Sequence, residues 1–286
     1  MKMKRFALLL LPLLAVVMIN GCASVDAGSK DAAFTAASFN VRVPRDKAPN
    51  DWKTRRVRLL SLLKEQRFDI FGVQEAVSMQ INDIKAAGYA MIGCGRDAER
   101  GGEYSAVFYK AKRFTCLESN TFWLSQTPDV PGSMSWKTAC PRICTYGLFV
   151  DKLTGKKFVF VNTHLDHKSQ EAKVRGSALI LHKILPLIKK YPLIFTGDFN
   201  SRPDSVQIST IGKVLRDTRT AAEKLIPGPD MTFHAYNPKH PRRRHCPIDY
   251  IFVNDMVKVR SFQVIDDEKN GLHSSDHYPL KAVVSL

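Results

Sequence analysis

Six short apolar runs along the chain each adjoin a cluster of polar side chains. Ala36-Ala37-Ser38-Phe39 ends at Asn40, Phe68 to Val73 ends at Gln74-Glu75, and Phe158 to Val161 ends at Asn162-Thr163-His164. Pro192 to Phe195 stops at Thr196-Gly197-Asp198-Phe199-Asn200, Asp249 opens the run Tyr250 to Val253, and Ser275-Asp276-His277 precedes a last apolar run. Uninterrupted runs of this length read as buried strands, and a strand that feeds polar residues into a loop displays them from a rigid scaffold. At Gly197 the backbone is free to turn and present Asp198 and Asn200 together. Six polar clusters beside six strands therefore predict one site.

Between the strands the period changes. Trp52 to Glu65 carries Val57, Leu59, Leu60, Leu62 and Leu63 at helical spacing, and so predicts an amphipathic helix between the first two strands, the parallel crossover unit. A short helix is expected over Met79 to Lys85, and a long one from Ser169 to Lys190 whose terminal lysines suit a helix C-terminus. Tyr104 to Tyr109 followed at once by Phe114 to Leu117 reads as an antiparallel pair. Arg142 to Val150 and Lys157 to Asn162, joined by the turn Lys152-Leu153-Thr154-Gly155, read as a hairpin. Leu124 to Gly132 is a proline-containing loop. Mixed strand pairing with interspersed helices predicts an α/β protein with layers around packed sheets. With 286 residues, 44% of them apolar, and no repeat or internal linker, one large domain is expected.

Charge adds a partner class. Lys and Arg number 43 against 27 Asp and Glu, a formal charge of +16, which attracts nucleic acid, anionic head groups and small polyphosphates alike. Lys2, Lys4 and Arg5 precede an apolar stretch from Phe6 to Ile19, too short for a membrane span and of the form of an export signal. It runs into Gly21-Cys22, which resembles a bacterial lipoprotein signal. On that reading residues 1–21 are a signal peptide, Cys22 is lipidated, residues 22–33 are a flexible tether, and the domain occupies residues 34–286. The protein would then be exported and lipid-anchored to the bacterial cell envelope, with a membrane as a partner through the anchor alone. The other five cysteines cannot all pair, and a core of this size needs no staples, so unbridged thiols are expected.

Glu75, Asp198 and Asp276 with the amides of Asn40 and Asn200 supply hard oxygen donors, which suit Mg²⁺ or Mn²⁺ over zinc. His164 and His277 stand beside acidic residues and can serve as acid, base or charge donor toward a phosphate oxygen. Metal, imidazole and a carboxylate that positions water make a hydrolytic site for phosphate esters. The sequence has no Gly-x-Ser-x-Gly elbow and no phosphate-cradling glycine loop with its lysine, which disfavours covalent serine catalysis and nucleotide-driven work.

The order of these elements carries more than any one of them. Ser-Phe-Asn, Gln-Glu, Asn-Thr-His-Leu, Gly-Asp-Phe-Asn, Ile-Asp-Tyr-Ile and Ser-Asp-His-Tyr-Pro-Leu, in that succession, resemble the endonuclease/exonuclease/phosphatase superfamily of DNase I-like enzymes. The resemblance implies a four-layer α/β sandwich, two packed mixed β-sheets flanked by helices, with the site at one rim. It implies that Glu75 is the principal metal carboxylate, assisted by Asn40 and Asp276, and that the metal is Mg²⁺ or Mn²⁺. Asp198 then resembles the carboxylate that orients water, and Asn200 the amide that holds phosphate. His277 resembles the phosphate-facing imidazole kept in place by Asp249, and His164 a second such histidine with Glu103 as its partner. The basic tract Arg242, Arg243 and Arg244, close before Asp249, is a candidate substrate contact, although a charge run is ordinarily a solvated loop face. The expected activity is divalent-metal-dependent hydrolysis of a phosphate monoester or diester by a monomer. The narrower alternatives are a DNase-like nuclease, a sphingomyelinase- or inositol-phosphatase-like enzyme, and an inactive surface binding module.

Overall fold

The computed structural model describes residues 32–237 and 246–286. In chain order these form β1 (Phe34–Asn40), α1 (Trp52–Gln66), β2 (Ile70–Gln74), α2 (Ser78–Ala86), β3 (Ala90–Ile92), β4 (Val107–Tyr109), β5 (Phe114–Trp123), β6 (Ile143–Asp151) and β7 (Lys157–His164). There follow α3 (Gln170–Ile188), β8 (Leu193–Asp198), α4 (Val206–Gly212), β9 (Arg216–Asp217), α5 (Thr218–Ala221), β10 (Lys224–Leu225), β11 (Asp249–Val253), β12 (Lys258–Val264) and β13 (Leu280–Ser285). One sheet has the order β10-β12-β13-β1-β2-β4-β3 and the other β5-β6-β7-β8-β11-β9. Both are mixed: β1–β2 and β7–β8 are parallel pairs joined by α1 and α3, and their other neighbours run antiparallel.

Three apolar cores make this a four-layer sandwich. Phe34, Ile70 and Val107 of the first sheet meet Phe158, Phe160 and Ile194 of the second in a core between the sheets. Ala37, Phe71 and Val73 pack under α1 and α2, while Val159, Val161, Leu193 and Phe195 pack under α3 and α4. Because each central strand is covered on both faces, its sequence reads as a continuous apolar run.

The inter-sheet face of each central strand changes character along its length. Phe34 and Ala36 are followed on the same face by Ser38 and Asn40, Phe158 and Phe160 by Asn162 and His164, and Ile194 by Thr196 and Asp198, since side chains alternate with period two. The seam of the sandwich is therefore greasy at one end and polar at the other. A buried hydrogen-bonded layer marks the transition: Gln74 Nε2 donates to Asn162 Oδ1 at 2.7 Å, Thr196 Oγ1 donates to the same oxygen at 3.1 Å, and Asn162 Nδ2 donates to Val73 O at 2.8 Å. Gly72 leaves room for it, because a Cβ there would run into Asn162 Oδ1 and Thr196 Oγ1. Gly72→Ala is expected to destabilise the fold by about 1–3 kcal/mol through overpacking, read as a lower urea midpoint with unchanged slope. A midpoint equal to that of the native chain would show that the layer yields at no cost.

Two expectations need correction. The segments Val107–Tyr109 and Phe114–Trp123 do not pair with each other: β4 pairs with β2 and β3, whereas β5 crosses to the second sheet and pairs with β6. A short connection joins strands of different sheets here because Phe114 turns into the inter-sheet core. In α1 the buried positions are Trp52, Arg55, Leu59, Leu62 and Leu63, while Val57 is 67% exposed. An arginine thus occupies a core position of that helix. Helix α3 starts after Ser169, whose hydroxyl accepts from Ala172 N, and matches its expected span to within two residues. None of the five described cysteines is bridged. Among the described residues no helix is long and apolar enough to cross a membrane. The expected leader, Cys22 and the tract Arg242 to Arg244 lie outside the described residues.

Candidate active site

Asp198 ends β8 and Asp249 begins β11, and the antiparallel register sets them directly opposite each other. His277, from the loop before β13, shares this corner. Its Nδ1 donates to Asp249 Oδ2 at 2.9 Å and its Nε2 lies 3.8 Å from Asp198 Oδ2. All three are buried. Burial alone lowers an imidazole pKa, but Asp249, by charge and by its hydrogen bond, together with Asp198, outweighs it and pushes His277 up to about 10. The ring is therefore a cation at neutral pH. Asp198 moves up as well, first through burial and then through repulsion by Asp249.

A prediction follows from the sign of the His277 shift. A group whose folded pKa is raised contributes stability that is complete below its unfolded value of 6.5 and is lost as pH rises through the folded value, about 10. The metal-free protein should lose stability across this window, and Asp249→Asn should flatten the loss. Urea midpoints measured from pH 6 to 10 check it; equal slopes in the two proteins would show that the pair contributes nothing.

The opposite side of the corner comes from β1 and β2. Asn40 Nδ2 donates to Glu75 Oε1 at 2.9 Å and to Asp198 Oδ2 at 3.0 Å, and so links the two sheets. Glu75 Oε2 accepts from Val43 N at 3.0 Å. Burial raises the Glu75 pKa, but the Val43 and Asn40 donors outweigh it and the net shift is downward. Glu75 sits at φ 64°, a costly conformation for glutamate that its surroundings impose. Asp276 lies in the same cleft, 3.6 Å from Arg42 Nη1, and burial raises its pKa. Asn200, at φ 47°, donates through its own N–H to Asp198 Oδ1 at 2.9 Å and through Nδ2 to Leu165 O and His164 Nε2. The Leu165 contact fixes the amide, so His164 Nε2 is an acceptor. Burial, with Arg142 and Arg96 nearby, holds that ring well below the usual histidine range, neutral at pH 7.

These donors fit a hard divalent cation. Glu75, Asp198 and Asp276 gather carboxylate oxygens in one cleft, and burial raises the pKa values of the latter two. Glu75, Asp198 and His164 bring ligand atoms within 4.8 Å of one another, as do Asp198, Asp249 and His277, and Asp276 lines the same cleft.

Glu103 is not the partner of His164. It lines the cleft, but Arg96 forks onto it, Nη1 to Oε2 at 2.7 Å and Nη2 to Oε1 at 3.0 Å. The guanidinium, seven residues earlier in the chain, bonds both carboxylate oxygens. The sequence also concealed several residues that complete the cleft, Arg42, Arg45, Arg96, Arg142, His167 and Lys168, because cations on loops follow no period. Arg55 had a signal, a charge at a core position of α1. Its Nη1 donates to Val41 O at 2.8 Å and Ser274 O at 2.9 Å, which ties the loop after Asn40 to the loop before Asp276.

Known proteins share this arrangement. The chain has 37% identity and a TM-score of 0.84 to a solved endonuclease/exonuclease/phosphatase from Bacteroides vulgatus, covering 89% of this chain and 99% of that one. To a mannosyl-6-phosphatase of Bacteroides thetaiotaomicron the identity is 34% and the TM-score 0.83, over 88% of this chain and all of the other. Among curated sequences, the CCR4-Not complex 3′-5′-exoribonuclease subunit Ccr4 of Aspergillus niger is 25% identical over 212 residues, 56% of this chain; the chain spans only 32% of that relative's length. Residues 37–277 match the model of the Endonuclease/Exonuclease/phosphatase family, from the strand that carries Asn40 to the histidine paired with Asp249. A chain with this sandwich, with these carboxylates at its polar rim and with that match along most of its length, belongs to the endonuclease/exonuclease/phosphatase family, whose relatives hydrolyse phosphoric esters.

Proposed function

We propose that the protein is a divalent-metal-dependent phosphomonoesterase that releases phosphate from a phosphorylated sugar. The observation that carries the hydrolytic reading is the buried His277 cation held between Asp249 and Asp198 at the rim that also bears Glu75 and Asp276. Glu75 and Asp276, with Asn40 beside them, would hold Mg²⁺ or Mn²⁺, which when bound supplies positive charge to the phosphoryl oxygens. Asp198, its carboxylate positioned by Asn40 and Asn200, orients the attacking water and takes its proton. His277 donates a charged N–H to the phosphate as the bond between phosphorus and the sugar oxygen breaks, Asp249 fixes the ring for that task, and the leaving alkoxide takes a proton from solvent water. The monoester and sugar parts of the reading rest on the similarity to the mannosyl-6-phosphatase along nearly the whole chain.

A second reading, hydrolysis of nucleic acid, is favoured by the charge of +16 and by the exoribonuclease relative. One panel decides between them: mannose 6-phosphate, p-nitrophenyl phosphate, bis-p-nitrophenyl phosphate and single-stranded RNA, each with Mg²⁺ or Mn²⁺. The proposal expects kcat/KM for mannose 6-phosphate to exceed that for the diesters by at least about tenfold. Preference for RNA or the bis ester would overturn it.

The same proposal sites the enzyme at a bacterial envelope through lipid on Cys22, since a charged leader and apolar stretch run directly into Gly21-Cys22. Cys22→Ser should move the protein from the membrane fraction to the soluble one. Unchanged partitioning would contradict the anchor.

A further inference from the structure

The cleft of about 580 Å³ that begins at Asp198 and His277 continues to a second wall that the hydrolytic chemistry does not use. Two guanidinium groups build it. Arg96 forks onto Glu103, and the two side chains are only 13% and 12% exposed. Arg142, with a side-chain exposure of 5%, stands 3.8 Å through its Nε from the fully buried Asp166, and its Nη2 donates to His167 Nδ1 at 3.0 Å. Among the described residues, Arg142 Nε and Nη1 and Arg96 Nε have no hydrogen-bond partner.

Arg96 faces Glu103 and, at 3.8 Å, Asp97, and Arg142 faces Asp166, so the charge of this wall is balanced, but its hydrogen bonds are not. A second phosphate would meet Glu103 as a like charge. A neutral group that both donates and accepts meets no such penalty: it can give a proton to the outer lone pairs of Glu103 and take one from a guanidinium whose unpaired N–H groups are costly where they are. That description fits an alcohol hydroxyl. The exposed cations Arg45 and Lys168, also on the cleft, supply the attraction for the phosphate itself.

We infer that Glu103, held by Arg96, and Arg142 are specificity-determining residues that read hydroxyl groups of the alcohol portion of a phosphomonoester. The inference rests on the phosphomonoesterase reading and names what the far end of the same cleft recognises. Glu103, expected from the sequence to assist His164, acquires on this account a role in selectivity.

The test is a ratio, kcat/KM for mannose 6-phosphate over kcat/KM for p-nitrophenyl phosphate, whose leaving group has no hydroxyl to read. Glu103→Gln keeps the shape and removes the charge, and Arg142→Lys keeps the charge facing Asp166 and removes the fork. Each variant should lower the ratio about tenfold to a hundredfold, because a site built to bond a hydroxyl loses discrimination when its partner is removed. A ratio within twofold of the native value in both variants overturns the inference. Should Arg142→Lys fail to fold, the native enzyme decides with a series of singly deoxygenated mannose 6-phosphates. At least one deoxygenation should cost tenfold, and that cost should shrink in Glu103→Gln; a series with no loss beyond twofold overturns the inference as well. Native enzyme that hydrolyses mannose 6-phosphate and every deoxygenated analogue with equal efficiency refutes hydroxyl reading alone, whereas native enzyme that hydrolyses neither monoester refutes the phosphomonoesterase reading beneath it.

Discussion

Asp198→Asn is expected to turn over substrate about 10²- to 10⁴-fold more slowly than the native chain, the loss usual for a positioned base, and to fold more stably. The two effects share one cause. Asp198 and Asp249 face each other in register, both buried, with only His277 between them, and their repulsion together with burial raises the Asp198 pKa to about 7. A carboxylate strained in this way is a better base than a solvated one, and the strain is a cost to the fold. The amide removes the charge but keeps an oxygen for only one of the two donors, Asn200 N at Oδ1 or Asn40 Nδ2 at Oδ2, and relief of the repulsion outweighs the hydrogen bond lost at the other. In the metal-free protein above pH 7 it should add about 1 kcal/mol, the size of other stabilising changes at functional sites. Paired measurements of kcat and urea midpoint check this. A variant that is both slower and less stable would mean that Asp198 is a structural hydrogen-bond acceptor rather than a strained base.

The second large effect belongs to His277 and Asp249. His277→Gln should lower kcat about 10²- to 10⁴-fold, Asp249→Asn should reproduce much of that loss, and the double variant should be little worse than His277→Gln, since groups that act as a unit are non-additive. Glutamine is preferable to alanine here. Its amide N–H can still meet Asp249, whereas alanine leaves both buried carboxylates without a donor; either variant removes the cation, a change that typically costs about 3–5 kcal/mol, so the urea midpoint is measured beside kcat. Losses that multiply independently would show that the 2.9 Å contact between the two residues does not serve catalysis.

The family resemblance implies the contact between Asp249 and His277, 28 positions apart, and the strands explain how the two residues reach one corner. A strand buried on both faces is marked by its continuous apolar run. The point at which polar residues interrupt that run marks the rim, as at Phe158-Val159-Phe160-Val161 followed by Asn162, or Ile194-Phe195 followed by Thr196. Residues placed by strand ends are thus found from pattern alone, and Asn40, Glu75, Asp198, Asp249, Asp276 and His277 all converge on one corner. What the pattern does not hold is anything fixed by loops and tertiary pairing. Arg96 meets Glu103 because of the turn at Gly101 and Gly102, both at positive φ, and no periodicity foretells it. The protonation of His164 is set by burial and by the approach of Arg142, from the start of β6, and Arg96, from the loop after β3. The false pairing of Tyr104–Tyr109 with Phe114–Leu117 arose from the same gap. Adjacency in sequence favours a hairpin, whereas the inward turn of Phe114 between the sheets decided otherwise.

The central claim is that the buried carboxylates and the His277 cation form a metal-dependent hydrolytic centre for phosphate esters. It is tested most directly by turnover of p-nitrophenyl phosphate by metal-stripped protein, with EDTA present, and after return of Mg²⁺ or Mn²⁺. The account predicts hydrolysis that EDTA abolishes and the returned ion restores. Turnover indifferent to EDTA, or none under either ion with this ester and with mannose 6-phosphate, would contradict it.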